Sequence, residues 1–359
     1  MMSAFLDARL KKRATQGLTR ALQSTSGLID LTSNDYFGFA KSSDQVEKRS
    51  VQGTGATGSR LLTGNTPLHE HLEEKIAQFH RAESCLIYNS GYTANLGLLS
   101  AIGTVGTTFL YDLEVHASMI DGMRLSEAKR FPFRHNDPES LKGRLKKATP
   151  PVFVLIESVY SMSGDLAPFQ ELVSLCTDYG AALIIDEAHA TGVYGAHGEG
   201  LVAQLGLESF VFARVHTFSK AVGAHGACVL GSQQLKEYLV NFSRPLIYTT
   251  ALPPLGLAQI EANYERLKKE ARTHQHRLSQ LVDYFACKAC TKVTQSPIQP
   301  ISVSGVDKAR AISKKMRANG LDVRAIVPPT VARGKECLRV VLHSFNQESE
   351  IDRLLEVLS

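Results

Sequence analysis

The sequence lacks the apolar runs that would carry it into or across a membrane. Residues 1–18 contain no apolar core of signal-peptide length, and no stretch approaches the roughly 20 residues of a membrane span. A basic stripe is also absent, because Lys and Arg are scattered and the net charge is +5. We therefore expect a cytoplasmic protein that binds neither membranes nor nucleic acid, with a mild positive field suited to an anionic substrate.

Cysteines are few, at six in the chain. Four lie in apolar segments, and Cys287 and Cys290 form a single CxxC pair. One such pair without nearby His ligands is weak support for a zinc site or a redox role. We expect reduced thiols and no bound metal.

The length of 359 residues, with 43% hydrophobic and 21% charged side chains, is typical of a soluble globular protein with more than one core. Alternating strand and helix patterns predict an α/β fold, in which a mostly parallel central sheet is flanked by helices. We place an N-terminal helix and strand segment at 1–45, a large domain at 46–253 and a small C-terminal α+β domain at 254–359. The boundary falls near Pro253–Pro254, where prolines interrupt the pattern.

Several predicted strands end in polar side chains. The apolar run 181–185 stops at Asp186, with His189 three residues later, and the run 152–156 continues into Glu157 and Ser161. In an open α/β sheet, ligands sit beyond the carboxyl ends of the strands. Asp186 alone could cap a turn, but the repeated arrangement favours a site.

A lysine and a glycine turn suggest which ligand this site takes. Lys220 follows a strand among Phe218, Val222 and glycines, where desolvation would make its amine nucleophilic. The turn 89–93 lies between a strand and a helix, an arrangement that presents backbone N–H groups to phosphate. A nucleophilic lysine, a strand-end acid and a phosphate cradle are what pyridoxal phosphate requires. The G-x-G-x-x-G at 53–58 follows polar residues rather than a strand, which argues against a dinucleotide site.

The sequence resembles the α-oxoamine synthase family of fold-type I pyridoxal-phosphate enzymes. The resemblance covers nearly the whole chain, and the matching stretches occur in the family's order. The matching stretches are SNDYFGFA (33–40), TGATGSRLLTGNTPLHEHLEEKIA (54–77), YNSGYTANLG (88–97), HAS (116–118), VYSMSGD (159–165), DEAHATGVYG (186–195), HTFSKAVGAHGA (216–227), IYTTALPP (247–254) and PPTV (328–331).

The resemblance implies a role for each matching site residue. Lys220 would form the Schiff base with the cofactor and move the substrate's α-proton, and Asp186 would hold the pyridine nitrogen. His189 would contact the phenolic oxygen, and His116 would stack on the ring. Asn34 would contact substrate. The further implied cofactor contacts are Gly91, Tyr92, Thr217, Ser161 and, from the neighbouring subunit of a homodimer, Thr250.

The implied reaction is the decarboxylative condensation of an amino acid with an acyl thioester. For the best-matching member the pair is L-alanine and a pimeloyl thioester of CoA or acyl carrier protein. Sister enzymes that join glycine to acetyl-CoA or succinyl-CoA, or serine to a long acyl chain, stay open as alternatives. A regulatory protein that holds the cofactor without turnover and a NAD-linked dehydrogenase built on residues 53–58 are alternatives of other classes.

One position departs from the family's pattern. An arginine that would bind the amino acid's carboxylate is expected immediately before PPTV, where this chain has Val327. We hypothesise that Arg324 takes over this role, with Arg339 as a second candidate, and we include Arg20 among the candidate substrate-binding residues. Cys337 also stands where the family commonly has an arginine, and both departures concern the substrate rather than the cofactor.

Overall fold

The computed structural model describes residues 2–41, 53–289 and 292–358. The strands are β1 (Ile29–Asp30), β2 (Ser84–Tyr88), β3 (Thr108–Asp112), β4 (Lys129–Phe133), β5 (Val152–Glu157), β6 (Ala182–Asp186), β7 (Val211–Thr217), β8 (Ala227–Gly231), β9 (Ile298–Ser302), β10 (Leu321–Asp322), β11 (Arg324–Ile326) and β12 (Cys337–Val341). The α-helices are α1 (Met2–Thr15), α2 (Pro67–Phe79), α3 (Gly91–Ile102), α4 (Ala117–Leu125), α5 (Pro138–Leu145), α6 (Phe169–Asp178), α7 (Leu201–Gln204), α8 (Gln233–Phe242), α9 (Arg244–Ile247), α10 (Pro254–Lys288), α11 (Val306–Ala318) and α12 (Glu348–Leu358).

The chain divides into two compact units. The large unit comprises residues 35–161 and 165–276, and the small unit comprises residues 1–34, 162–164 and 277–359. The N-terminal part of α10 belongs to the large unit and its C-terminal part to the small unit. The division into domains at residues 45 and 253 stays a prediction. No helix in the described part of the chain is long and apolar enough to span a membrane.

A seven-stranded sheet in the order β2-β8-β7-β6-β5-β3-β4 forms the centre of the large unit. The five strands from β7 to β4 are parallel, and β8 runs antiparallel to both of its neighbours. The central strands are buried on both faces, as expected of a parallel sheet covered by helices. The predicted α/β class with a mostly parallel sheet is therefore confirmed.

The parallel strands deliver their polar ends to one edge of this sheet. Strands β3, β5 and β6 end at Asp112, Glu157 and Asp186, and Glu157 is paired in register with Asp186. All three carboxyl groups are buried. The edge expected to carry the site thus contains three acids at the ends of strands that are otherwise apolar.

The small unit contains a three-stranded antiparallel sheet, β11-β12-β9, and a two-stranded parallel pair, β1-β10. Its core joins apolar residues of these strands to α11 and α12, as the predicted α+β pattern requires. Helix α1, the helix of the predicted N-terminal segment, ends at Thr15. Gly17 has a φ of +66°, a conformation that stops a helix, and its N–H bonds to Ala14 O.

Candidate functional site

Asp186 lies at the carboxyl end of β6 and is only 6% exposed. Its Oδ2 accepts a hydrogen bond of 2.7 Å from Asn95 Nδ2, and its Oδ1 accepts one of 2.9 Å from the N–H of Ala188. The carboxylate is therefore fixed in orientation while each oxygen retains a lone pair for a ligand.

A line of hydrogen bonds connects Asp186 with His116. Asn95 Nδ2 also bonds to Ser118 Oγ at 3.0 Å, and Ser118 Oγ lies 2.7 Å from His116 Nδ1. His116 caps α4, since its Nδ1 accepts the N–H of Ser118. Partial burial lowers the pKa of His116, although the charge of Asp186 opposes the shift. Asn95 and Ser118 were absent from the predicted site.

Helix α3 follows the turn that we predict to bind a phosphate. It begins at Gly91, three residues before the predicted start at Ala94, because Ser90 caps it: Ser90 Oγ accepts the N–H of Thr93. The first N–H groups of the helix, including those of Gly91 and Tyr92, have no intrahelical acceptor. Thr217 lies against this end, since a Cβ on Gly91 would meet the Thr217 side chain at 3.5 Å.

Lys220 follows β7 in the connection to β8 and is half-buried. Its neighbours Phe218, Ala221 and Val222 are at most 1% exposed. Backbone bonds from Gly223 N to Lys220 O (2.8 Å) and from Ala224 N to Phe218 O (2.8 Å) close the turn. Burial lowers the pKa of His116 and raises that of Glu157, and the positive charge of Lys220 adds to the first shift and opposes the second.

His189 is 5% exposed, and its Nδ1 lies 2.6 Å from the hydroxyl of the fully buried Tyr36. This partner fixes the orientation of the ring. Tyr36 was not among the predicted site residues, although it lies in the matching stretch SNDYFGFA. Ser161 lies four residues beyond β5, with its N–H 3.3 Å from Glu157 Oε2. Thr250 is exposed, and its carbonyl accepts Asn89 Nδ2 at 2.9 Å.

The predicted substrate ligands Asn34, Arg324 and Arg20 belong to the small unit. Asn34 Oδ1 accepts a hydrogen bond of 3.0 Å from Arg339 Nη2. Arg324 is paired with Asp322, at 2.9 Å from Nε to Oδ1, and its Nη1 donates to Gln23 Oε1 at 2.7 Å. Arg20 is exposed. Arg339 is thus the guanidinium that contacts Asn34.

Few of the described residues bear on the predictions for metals and cysteines. Among the residues that the structure describes, no group of three His, Cys, Asp or Glu side chains is placed to hold a metal ion. Cys287 is an exposed free thiol, and Cys290 lies outside the described residues. Between residues 53 and 66 no helix begins, so the glycines at 53–58 do not open a helix as a dinucleotide fingerprint does.

His135 bridges two acids next to the predicted site. Its Nδ1 lies 2.9 Å from Asp112 Oδ1, and its Nε2 lies 2.9 Å from Asp165 Oδ2. Burial opposes protonation of the ring, but both carboxylates outweigh burial and raise the pKa of His135 to about 10. The imidazolium therefore ties the loop that contains Asp165 to the end of β3.

We expect this bridge to stabilise the protein in a pH-dependent way. Because the pKa is raised from 6.5 to about 10 on folding, the stabilisation is complete below 6.5 and is lost as pH rises through 10. In thermal unfolding, the Tm deficit of His135→Gln should be largest near about pH 6 and should shrink towards about pH 10. His71→Gln, at an exposed position, is the control. A deficit that stays constant across this range would contradict the bridge.

Comparison with known proteins places the chain in a family. Residues 26–358 match the family model described as aminotransferase class I and II. The 8-amino-7-oxononanoate synthase of Emericella nidulans is 41% identical over 93% of this chain and 89% of that protein. That of Pseudomonas entomophila is 38% identical over 100% and 97%.

Solved structures of related proteins also match the chain. The serine palmitoyltransferase from S. paucimobilis with a bound PLP-myriocin aldimine aligns with a TM-score of 0.88 at 28% identity, over 99% of this chain and 97% of that one. The 8-amino-7-oxononanoate synthase of Francisella tularensis aligns with a TM-score of 0.78 at 27% identity, over 92% and 96%. The chain therefore belongs to the aminotransferase class I and II family and, within its fold-type I members, to the α-oxoamine synthases.

Proposed function

We propose that the protein is a pyridoxal-phosphate-dependent acyltransferase that condenses L-alanine with a pimeloyl thioester in biotin synthesis. The products are 8-amino-7-oxononanoate, carbon dioxide and the free thiol of CoA or acyl carrier protein. The relatives named 8-amino-7-oxononanoate synthase support this choice of substrates. The observation that carries the proposal is the setting of Asp186. Its buried carboxylate accepts a hydrogen bond from Asn95, which belongs to the line of hydrogen bonds that continues to His116, and Lys220 lies nearby.

The residues at the sheet edge fit this cofactor. Pyridoxal phosphate needs an anion cradle, an acid for its ring nitrogen and an amine for its aldehyde. The open N-terminus of α3 with Thr217, the carboxylate of Asp186 and the half-buried amine of Lys220 provide one group of each kind. When bound, the cofactor supplies an electron-withdrawing ring that stabilises negative charge on the substrate's α-carbon.

The chain's own groups would then hold and move protons. Asp186 would keep a proton on the ring nitrogen, and Lys220 would bond to the aldehyde and accept the substrate's α-proton. His116 would stack on the ring, oriented by Ser118, and His189 would contact the phenolic oxygen, oriented by Tyr36. Gly91, Tyr92, Thr217 and Ser161 would complete the cofactor contacts. In the overall reaction a C–C bond forms between the α-carbon and the acyl carbon, the thiol leaves, and the carboxylate departs as carbon dioxide.

We also propose that the protein acts as a homodimer. Thr250 would reach the phosphate bound by the neighbouring subunit, and the exposure of its side chain is compatible with that role. The cytoplasm is our proposed site of action. Asn34 would contact the substrate near the reacting carbon.

Two arginines are candidates to bind the amino acid's carboxylate. Arg324 is our first candidate from the sequence, but Asp322 and Gln23 already engage its guanidinium. Arg339 is 7% exposed and contacts Asn34, which favours it as the ligand. Burial and a bidentate geometry make such an arginine hard to replace.

We expect Arg339→Lys to raise the KM for the amino acid by about tenfold or more and Arg324→Lys to change it less, since a charged bidentate contact contributes about 1.5 to 3 kcal/mol. Steady-state kinetics with varied amino acid would measure both variants. If Arg324→Lys and Arg324→Ala impair the KM while Arg339→Lys does not, Arg324 holds the carboxylate. Arg20→Ala tests the third candidate arginine in the same kinetic assay.

A substrate panel tests the proposed function. Purified protein loaded with pyridoxal phosphate is mixed with alanine, glycine or serine and with pimeloyl-, acetyl-, succinyl- or palmitoyl-CoA, and thiol release is followed. We expect the fastest release with alanine and pimeloyl-CoA. Faster release with glycine or serine would identify a sister synthase instead. Cofactor binding without release from any pair, including pimeloyl acyl carrier protein, would indicate a binding or regulatory protein.

A further inference from the structure

A second buried carboxyl group lies beside Asp186. Glu157 ends β5 and is paired in register with Asp186 on β6, and it is only 2% exposed. Paired residues of neighbouring strands point to the same face of a sheet, and the strands lie about 4.8 Å apart. Two carboxyl groups on the same face of neighbouring strands, both away from water, disfavour each other's ionisation.

The two carboxyl groups have unequal hydrogen-bond donors. Asp186 accepts from a side-chain amide and a backbone N–H at 2.7 and 2.9 Å. The Glu157 carboxyl faces the backbone N–H groups of Ser161, at 3.3 Å from Oε2, and of His116. Glu157 Oε1 is buried without a hydrogen-bond partner within the described ranges. Short donors favour an ionised carboxylate, whereas an unpartnered oxygen has room for a proton.

The surrounding charges favour the same assignment. The charged or titratable groups near Glu157 are Asp186 on β6, Lys220 beyond β7, His116 before α4 and the phenol of Tyr160. Burial raises the pKa of Glu157 well above its usual range, Asp186 adds to the rise, and Lys220 opposes it. If Glu157 were ionised, two carboxylates would face the single ammonium of Lys220.

We propose that Glu157 is a positioning residue that stays protonated, so that Asp186 carries the only carboxylate charge of this pair and Oε1–H is available as a hydrogen-bond donor. A second carboxylate would hold Lys220 as an ammonium ion, which cannot act as a nucleophile or accept a proton. The effect on Lys220 rests on the proposed function. The protonation itself does not, because it can be measured on cofactor-free protein.

Infrared difference spectroscopy tests the protonation directly. The spectrum of cofactor-free Glu157→Gln is subtracted from that of the wild type at neutral pH. We expect the difference to contain the carbonyl band of a protonated carboxylic acid. The control, Glu139→Gln at an 83% exposed position, should remove only carboxylate bands. A Glu157→Gln difference that consists of carboxylate bands would overturn the proposal.

A second measurement needs no variant and covers a failure of Glu157→Gln to fold. Wild-type protein labelled with carbon-13 at the glutamate carboxyls is titrated by NMR. A resonance of a buried glutamate near Lys220 and Asp186 that is still protonated at neutral pH supports the proposal. Titration of every glutamate close to the usual value of 4.5 would refute it.

The cofactor-loaded protein gives the functional readout. The pH midpoint of the visible chromophore should be the same in Glu157→Gln as in the wild type, because both side chains are neutral. Loss of an ionised neighbour would instead lower the midpoint by about one unit or more. A wild type that forms no chromophore would count against the proposed function, while the infrared result would still decide the state of Glu157.

Discussion

Lys220→Ala should reduce condensation by at least about a thousandfold, because no other described group has been assigned to bond to the aldehyde and accept the α-proton. The variant should still bind pyridoxal phosphate without the covalent chromophore, since the phosphate cradle and Asp186 are unchanged. It should also fold, because the turn around position 220 is closed by backbone bonds that an alanine retains. Thiol release and visible absorbance measure these effects.

Lys268→Ala is the matched control. This lysine is 43% exposed on α10 and forms an ion pair with Glu265. Its removal should leave the chromophore and thiol release near wild type. A Lys220→Ala protein that still forms a borohydride-reducible chromophore would show that another lysine holds the cofactor.

Asp186→Asn should lower turnover by about a hundredfold to ten-thousandfold while retaining bound cofactor. A neutral amide cannot hold the proton on the ring nitrogen. The amide also creates a conflict within the protein: an NH₂ group must face either Asn95 Nδ2 or the N–H of Ala188, and both are donors. We therefore expect a loss of about 1 to 3 kcal/mol in the free energy of unfolding as well.

Two companion variants separate these effects. Asn95→Ala removes a donor but keeps the carboxylate, so its turnover should fall less than that of Asp186→Asn. His189→Ala should also be milder, because His189 contacts the phenolic oxygen rather than the ring nitrogen. Kinetics and urea unfolding of the three proteins give the comparison. If Asp186→Asn turns over as fast as Asn95→Ala, Asp186 does not hold the proton on the ring nitrogen.

The buried strands could be predicted because their sequences allow little else. The apolar runs at 84–88, 152–156 and 181–185 are short, contain β-branched residues and stop at polar residues or turns. Strand β4 was missed, since KRFPF has two charged residues, a proline and mostly exposed side chains. A strand at the edge of a sheet tolerates such residues because only one side of it is paired.

The groups that orient the site were harder to predict than the groups expected to react. Asn95 reaches Asp186 across 91 positions, and Tyr36 reaches His189 across 153. No local spacing encodes such pairs, because the packing of α3 and of the segment after β1 brings them together. Ser118 could have been found, since it lies in the short stretch HAS that the resemblance had already matched.

The substrate arginine illustrates a different limit. Val327 showed that the usual position lacks a guanidinium. Choosing a substitute required knowing which groups each arginine contacts in the fold. Arg324 and Arg339 are paired in register on β11 and β12, yet one contacts Asp322 and the other Asn34. Proximity to PPTV in the sequence favoured Arg324, and the hydrogen bonds favour Arg339.

The attachment of pyridoxal phosphate to Lys220 is the central claim and can be measured directly. Cofactor-free protein is incubated with pyridoxal phosphate, its absorbance is recorded, and the product is reduced with borohydride and digested. We predict a yellow chromophore and a single reduced adduct on the peptide that contains Lys220. A protein that forms no reducible chromophore, or one whose adduct maps to a different lysine, would contradict it.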